Sequence, residues 1–272
     1  MIQLMMIVNQ PDVARYVALH GVNRVFVDLE HMGKAARQGH LDTWMSRHAP
    51  EDISRVREAI GDTELLVRLN PWHDGSTDEV EDALARGADL LMLPMFRETT
   101  ELEAFCRSVR GRVPVVPLVE TAEAFDCLSE VSRVDGVGEV FIGLNDLHLS
   151  LGLRFMFEPL ANGMLDRAAE QLKAAGKPFG FGGVARVGEG LLPAERILGE
   201  HVRLGSTSVI LSRTFHRQAA TLDVMKGEMD FAREVMRLRS AYAAYLGAGE
   251  AELAANQGEV RRIVATLAER SR

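Results

Sequence analysis

Short continuous apolar runs alternate along the chain with longer stretches in which apolar residues recur every three or four positions. The runs Ile2–Val8, Arg24–Leu29, Leu65–Leu69, Leu90–Leu93, Val113–Val119, Val140–Gly143, Pro178–Gly182 and Ser208–Leu211 have strand length and are rich in Val, Ile, Leu, Met and Phe. Strands apolar on both faces belong to a parallel sheet covered by helices, not to a half-exposed antiparallel one.

The stretches between them carry helix punctuation. Start signals stand at Asn9-Gln10-Pro11-Asp12, at Asp74 to Glu79 and at Glu98-Thr99-Thr100-Glu101, and glycines such as Gly61, Gly87 and Gly205 stand where helices stop. Eight strand–helix units in about 250 residues predict an α/β fold, a (β/α)8 TIM barrel, over a doubly wound open sheet, which usually has fewer strands. The barrel domain is expected over residues 1–217 and a C-terminal helical extension over 218–272, with amphipathic stretches at Asp223–Leu246 and Glu250–Leu267. Those stretches would pack on a neighbouring subunit or, alternatively, across the bottom of the same barrel.

Composition narrows the class. The chain has 272 residues, 47% of them hydrophobic, and 31 basic against 39 acidic side chains for a net charge of −8. No basic stripe is available for a phosphate backbone, so nucleic acid is not an expected partner. No run reaches the roughly 18 apolar residues of a membrane span, and the apolar start at Met1–Val8 lacks a basic flank and a cleavage site. The two cysteines, Cys106 and Cys127, have no metal-ligand spacing and read as buried free thiols. Together these features predict a cytoplasmic protein.

In a parallel barrel the residues at the C-terminal ends of the strands converge on one pocket. Those positions are polar here: Asp28-Leu29-Glu30-His31, Arg68-Leu69-Asn70-Pro71, Pro94-Met95, Glu120-Thr121, Asn145-Asp146 and Gly182-Gly183. Glu120 and Asp146 end adjacent strands. Two neighbouring carboxylates, with water and substrate oxygens, are a usual way to hold Mg2+ or Mn2+; the alternative is that one of them pairs with Arg68 or another cation. Arg68 offers a planar fork for a carboxylate or enolate oxygen, or else an ion pair with Asp28 or Glu30. His31 is a candidate general base whose tautomer Asp28 could fix, provided the chain bends after Leu29.

The long polar connection after the second strand is a candidate lid, carrying Lys34, Arg37, His40 and His48. Trp72, His73, His148 and Ser150 are further candidates for the pocket wall. No lysine stands at a strand end for a Schiff base, which favours a metal-dependent route.

Taken in order, Asp28-Leu29-Glu30-His31, Arg68-Leu69-Asn70-Pro71, Leu93-Pro94-Met95, Val119-Glu120-Thr121-Ala122-Glu123-Ala124 and Phe141-Ile142-Gly143-Leu144-Asn145-Asp146-Leu147 resemble the HpcH/HpaI aldolase and citrate lyase β-subunit superfamily over most of residues 1–215. The resemblance implies a (β/α)8 barrel that binds Mg2+ or Mn2+ through Glu120 and Asp146. It also implies keto-acid binding by Arg68 and proton transfer by His31 with Asp28 as partner. Gly143, Asn145, Pro94 and Met95 would line the substrate pocket, and Arg37 and His40 would close over it. The expected activity is a metal-dependent carbon–carbon lyase acting on a 2-oxo acid and an aldehyde through a pyruvate-like enolate, in a homo-oligomer, trimer or hexamer. The alternatives are an acyl-CoA lyase of the same superfamily and a non-catalytic barrel that binds a 2-oxo acid. The long insertion after His31 and the short Met95–Val113 segment depart from the family pattern.

Overall fold

The structure is a computed structural model that describes residues 1–33, 48–213, 215–216 and 221–270. The chain runs β1 (Gln3–Ile7), α1 (Pro11–Leu19), β2 (Arg24–Asp28), α2 (Pro50–Ile60), β3 (Glu64–Arg68), α3 (Ser76–Ala85), β4 (Leu90–Leu93) and α4 (Thr99–Val109). It continues through β5 (Val115–Val119), α5 (Ala122–Asp126), α6 (Leu128–Val131), β6 (Val140–Ile142), α7 (Leu144–Ser150), α8 (Glu158–Ala161) and α9 (Met164–Ala174). Last come β7 (Phe179–Val184), α10 (Ala194–Leu204), β8 (Ser208–Leu211), α11 (Leu222–Glu228), α12 (Phe231–Leu246) and α13 (Glu250–Arg270). The eight strands pair in parallel and in chain order, and β8 closes on β1. The fold is therefore the α/β, (β/α)8 barrel expected from the apolar pattern.

Strand alternation divides the core in two. Leu65, Val67, Leu91 and Leu93 face outward beneath the helices, while Met5, Phe26, Leu66, Leu90, Met92, Val116, Leu118 and Phe141 fill the barrel interior. The interior is thus a packed core and not a pore. At its lower end, where the strands begin, Arg24 donates to Glu139 and to Glu64 at 2.9 Å each, and the Ser208 hydroxyl donates to Glu139. Burial opposes the Arg24 charge, but the two carboxylates hold its pKa above the usual arginine value. A Cβ on Gly180 would collide with Ser208 and Phe141, so a side chain there would force β7 away from β8.

The C-terminal stretches differ from their expected form. The predicted Asp223–Leu246 helix is broken at Met229 and Asp230, and the Asp230 carboxylate caps α12 by accepting the Arg233 amide at 3.0 Å. Both α12 and α13 lie on the chain's own barrel. α12 packs beside α10, and its Arg239 donates to the Gly21 carbonyl at 2.6 Å and to Asn23 Oδ1 at 2.9 Å. α13 packs over α10 and α8, fixed by buried Asn256, which donates to Glu200 Oε1 and to the Arg196 carbonyl at 3.0 Å each. Among the described residues no helix is long and apolar enough to cross a membrane.

Candidate active site at the carboxyl ends of the strands

Asp28 and Arg68 are the last residues of β2 and β3 and stand opposite each other in register. Asp28 is almost fully buried, and its carboxylate accepts Arg68 Nε on one oxygen and Nη2 on the other, each at 2.8 Å. Glu30 Oε2 lies 3.3 Å from the same Nη2, and the guanidinium sits 5.6 Å from the centre of the Phe26 ring. Burial alone would discharge Arg68, yet Asp28, Glu30 and Glu120 hold its pKa well above the usual arginine value. The ion pair considered from sequence is therefore present. It occupies Nε and Nη2; among the described residues Nη1 has no protein partner.

Glu120 follows β5 directly and is buried. One carboxylate oxygen accepts the Met95 amide at 3.2 Å, and the other lies against Gly143, where an added Cβ would come within 2.9 Å of it. Gly143 therefore makes room for a carboxylate. Met95 presents its amide from a left-handed backbone, φ 55°, a conformation that a bulky side chain rarely adopts. Thr121 fixes the same corner, donating to the Phe96 carbonyl at 2.8 Å while accepting the Ala124 amide at 3.1 Å to cap α5. Pro94, at the end of β4, is buried.

Asp146 lies beyond the strand end. It is half-buried in the first turn of α7, three residues after Gly143, with Asn145 beside it. Glu120 and Asp146 offer oxygen donors only. Among the described residues no group of three or more His, Cys, Asp or Glu side chains is gathered to hold a metal. Oxygen donors of this kind suit Mg2+ or Mn2+, which take their remaining ligands from water and substrate, and do not suit structural zinc.

The HpcH/HpaI aldolase/citrate lyase family profile matches residues 2–200. The chain belongs to this family. The 4-hydroxy-2-oxovalerate aldolase of Rhodococcus jostii RHA1 is 30% identical over 207 residues, 62% of this chain and 74% of that protein. The 4-hydroxy-2-oxo-heptane-1,7-dioate aldolase of Salmonella newport is 26% identical over 215 residues, 66% of this chain and 80% of that protein. A Mycobacterium tuberculosis CitE structure in complex with magnesium and pyruvate superposes with a TM-score of 0.60 at 18% identity, covering 95% of this chain and 97% of that one. As a member of the HpcH/HpaI family the chain is a carbon–carbon lyase of the pyruvate-aldolase type.

Other expected residues of this HpcH/HpaI chain are placed differently. His31 is exposed, and Asp28 is not its partner, because that carboxylate is taken by Arg68. The His31 Nδ1 lies 3.2 Å from the Leu29 carbonyl instead, which fixes the neutral ring with its proton on Nδ1 and its lone pair on Nε2. His148 turns back onto the Leu144 carbonyl of its own helix, and Ser150 accepts the Ala122 amide at 2.9 Å, joining α7 to α5. Trp72 is half-buried against the core. Lys34, Arg37 and His40 lie outside the described residues.

Two contacts at the mouth are not marked by the sequence pattern. His48, at the return of the long connection, accepts the Asp28 amide on Nδ1 at 2.9 Å and so stands at the end of β2. Glu79, on α3, accepts the Asn70 side-chain amide at 2.7 Å and lies 3.2 Å from His73 Nε2. The sequence marks Asn70 only as part of a strand end and Glu79 only as part of a helix start signal.

Proposed function

We propose that this mouth is the catalytic centre of a metal-dependent lyase that cleaves or forms a 2-oxo acid through a pyruvate-like enolate. The observation that carries the reading is the division of labour at Arg68: two nitrogens are held by Asp28 and Glu30, and the third is left for a substrate oxygen. Glu120 and Asp146 would hold Mg2+ or Mn2+. When bound, the cation supplies Lewis acidity that polarises the ketone and balances enolate charge.

The chain's own groups supply the rest. Asp28 keeps the guanidinium rigid, so Nη1 meets the carboxylate or keto oxygen without reorganising. The Met95 amide orients Glu120, and Gly143 keeps the space beside it clear. His31, with its lone pair on Nε2, would move the proton to or from the hydroxyl oxygen of the aldehyde-forming half. The proposed substrates are a 2-oxo acid and an aldehyde. Pro94, Met95 and Asn145 would wall the pocket.

The test is proton NMR of pyruvate in D2O with added Mg2+ or Mn2+, with a chelator, and with Glu120→Ala as control. Metal-dependent loss of the methyl signal that vanishes in the variant is expected. No exchange with either metal overturns the reading and directs the search to acyl-CoA substrates.

A further inference from the structure

The turn that follows β2 is held by a side-chain relay on the neighbouring βα unit. Asn70 is 3% exposed, and its Oδ1 accepts two consecutive backbone amides, those of His31 at 3.0 Å and Met32 at 3.1 Å. Its Nδ2 donates to Glu79 Oε1 at 2.7 Å, and its own backbone amide reaches Glu79 Oε2 at 3.3 Å. These partners fix the orientation of the amide, because a reversed Asn70 would set two donors against two donors and an acceptor against a carboxylate. His73 supports Glu79 in turn: its Nδ1 accepts the Gly75 amide at 3.1 Å, so the neutral ring carries its proton on Nε2, 3.2 Å from Glu79 Oε1. A Cβ on Gly75 would approach His73 Cε1 to 2.9 Å, so the ring's place depends on that glycine.

We infer that Asn70 and Glu79 are positioning residues for the reaction, acting by clamping the His31–Met32 backbone so that Glu30 keeps its place beside Arg68 and His31 its place at the end of β2. The inference rests on the function proposed above. Glu30 immediately precedes the clamped amides and contacts the guanidinium at 3.3 Å, so freeing the turn frees one of the two carboxylates that brace Arg68. Neither Asn70 nor Glu79 need touch substrate.

The hydrogen-bond directions give a test that a general loss of stability would not reproduce. Asn70→Asp keeps an acceptor for the backbone amides but sets a carboxylate against Glu79; adding Glu79→Gln restores a donor between them while giving up the acceptor that Glu79 Oε1 offers to His73 Nε2. Relative to wild type, Asn70→Asp and Glu79→Ala are each expected to lower kcat/KM for metal-dependent pyruvate exchange by about tenfold or more, as misplaced groups near the chemistry do. The double variant Asn70→Asp/Glu79→Gln is expected to recover part of that loss.

Amide hydrogen exchange of the 29–33 segment is measured on the same proteins. It is expected to quicken in the two single variants and return in the double variant, with the β-strands unchanged. Single variants that keep wild-type kcat/KM, or a double variant that is no better than Asn70→Asp, overturn the inference. If wild-type protein exchanges no pyruvate protons, the functional reading fails, and the clamp is then judged by exchange at 29–33 alone: unchanged rates in Glu79→Ala refute it.

Discussion

Asp28 binds Arg68 through Nε and Nη2 at 2.8 Å each, from the ends of two strands in direct register. An arginine held in this way cannot turn toward bulk water, and the nitrogen it leaves over is the one offered to a ligand. Removing Asp28 takes away the two short hydrogen bonds and leaves the buried cation to Glu30 and Glu120. Asp28→Ala is expected to cost about 3 kcal/mol of stability and to weaken pyruvate binding, measured by urea denaturation and by the KM for methyl exchange. Unchanged values for both would show that the pair does not matter.

Arg68→Lys keeps the charge but not the fork, so it cannot satisfy both Asp28 oxygens and still present a third donor. Pyruvate exchange is expected to fall by about 100-fold with the fold intact by circular dichroism.

Gly143→Ala places a methyl group 2.9 Å from one Glu120 oxygen and 3.0 Å from its Cβ. The carboxylate has to move, and affinity for Mn2+, followed by the electron paramagnetic resonance of the free ion, is expected to drop by about tenfold or more. Tight binding retained in the variant would exclude Glu120 as a ligand.

Met95 tests the backbone. At φ 55° it stores strain that glycine would release, so Met95→Gly is expected to raise stability by about 1 kcal/mol, seen as a higher Tm. If Tm falls, the Met95 side chain contributes more than the strain costs.

His201 gives a pH dependence of known sign. The ring is buried, stacked at 3.8 Å on Phe181, and its Nδ1 lies 2.8 Å from Ser206 Oγ; burial pushes its pKa down from 6.5 to about 3. Below about pH 6.5 the unfolded chain takes a proton there that the folded chain refuses. Stability is therefore full above that pH and is lost as the pH falls toward 3. Between pH 7 and 5 this loss is about 2 kcal/mol, and His201→Leu is expected to remove it from urea titrations. Parallel pH slopes for the two proteins would contradict this account.

The strands were legible because burial on both faces leaves an uninterrupted apolar run: Leu90–Leu93 and Ser208–Leu211 match the structure at both ends. Register then made the Asp28–Arg68 pair foreseeable, since both residues close neighbouring strands. Asp146 was harder to place, because nothing in Gly143-Leu144-Asn145-Asp146 marks where β6 yields to α7. The break at Met229–Asp230 is marked only by Gly227 before it and Asp230 as a helix cap, and the amphipathic period runs on through both. The Asn70–Glu79 relay joins a strand end to a helix nine residues on, a contact that depends on how the intervening turn folds.

The Arg24, Glu64, Glu139 and Ser208 network closes the barrel at the end opposite the mouth, above which the interior is solid with side chains. A molecule that reaches Arg68 thus sits in a blind well. With cleavage as proposed, the two fragments share one doorway, and the fragment anchored on the guanidinium leaves behind the other. Under the proposed cleavage, product release would then be ordered, with the fragment held by Arg68 leaving last.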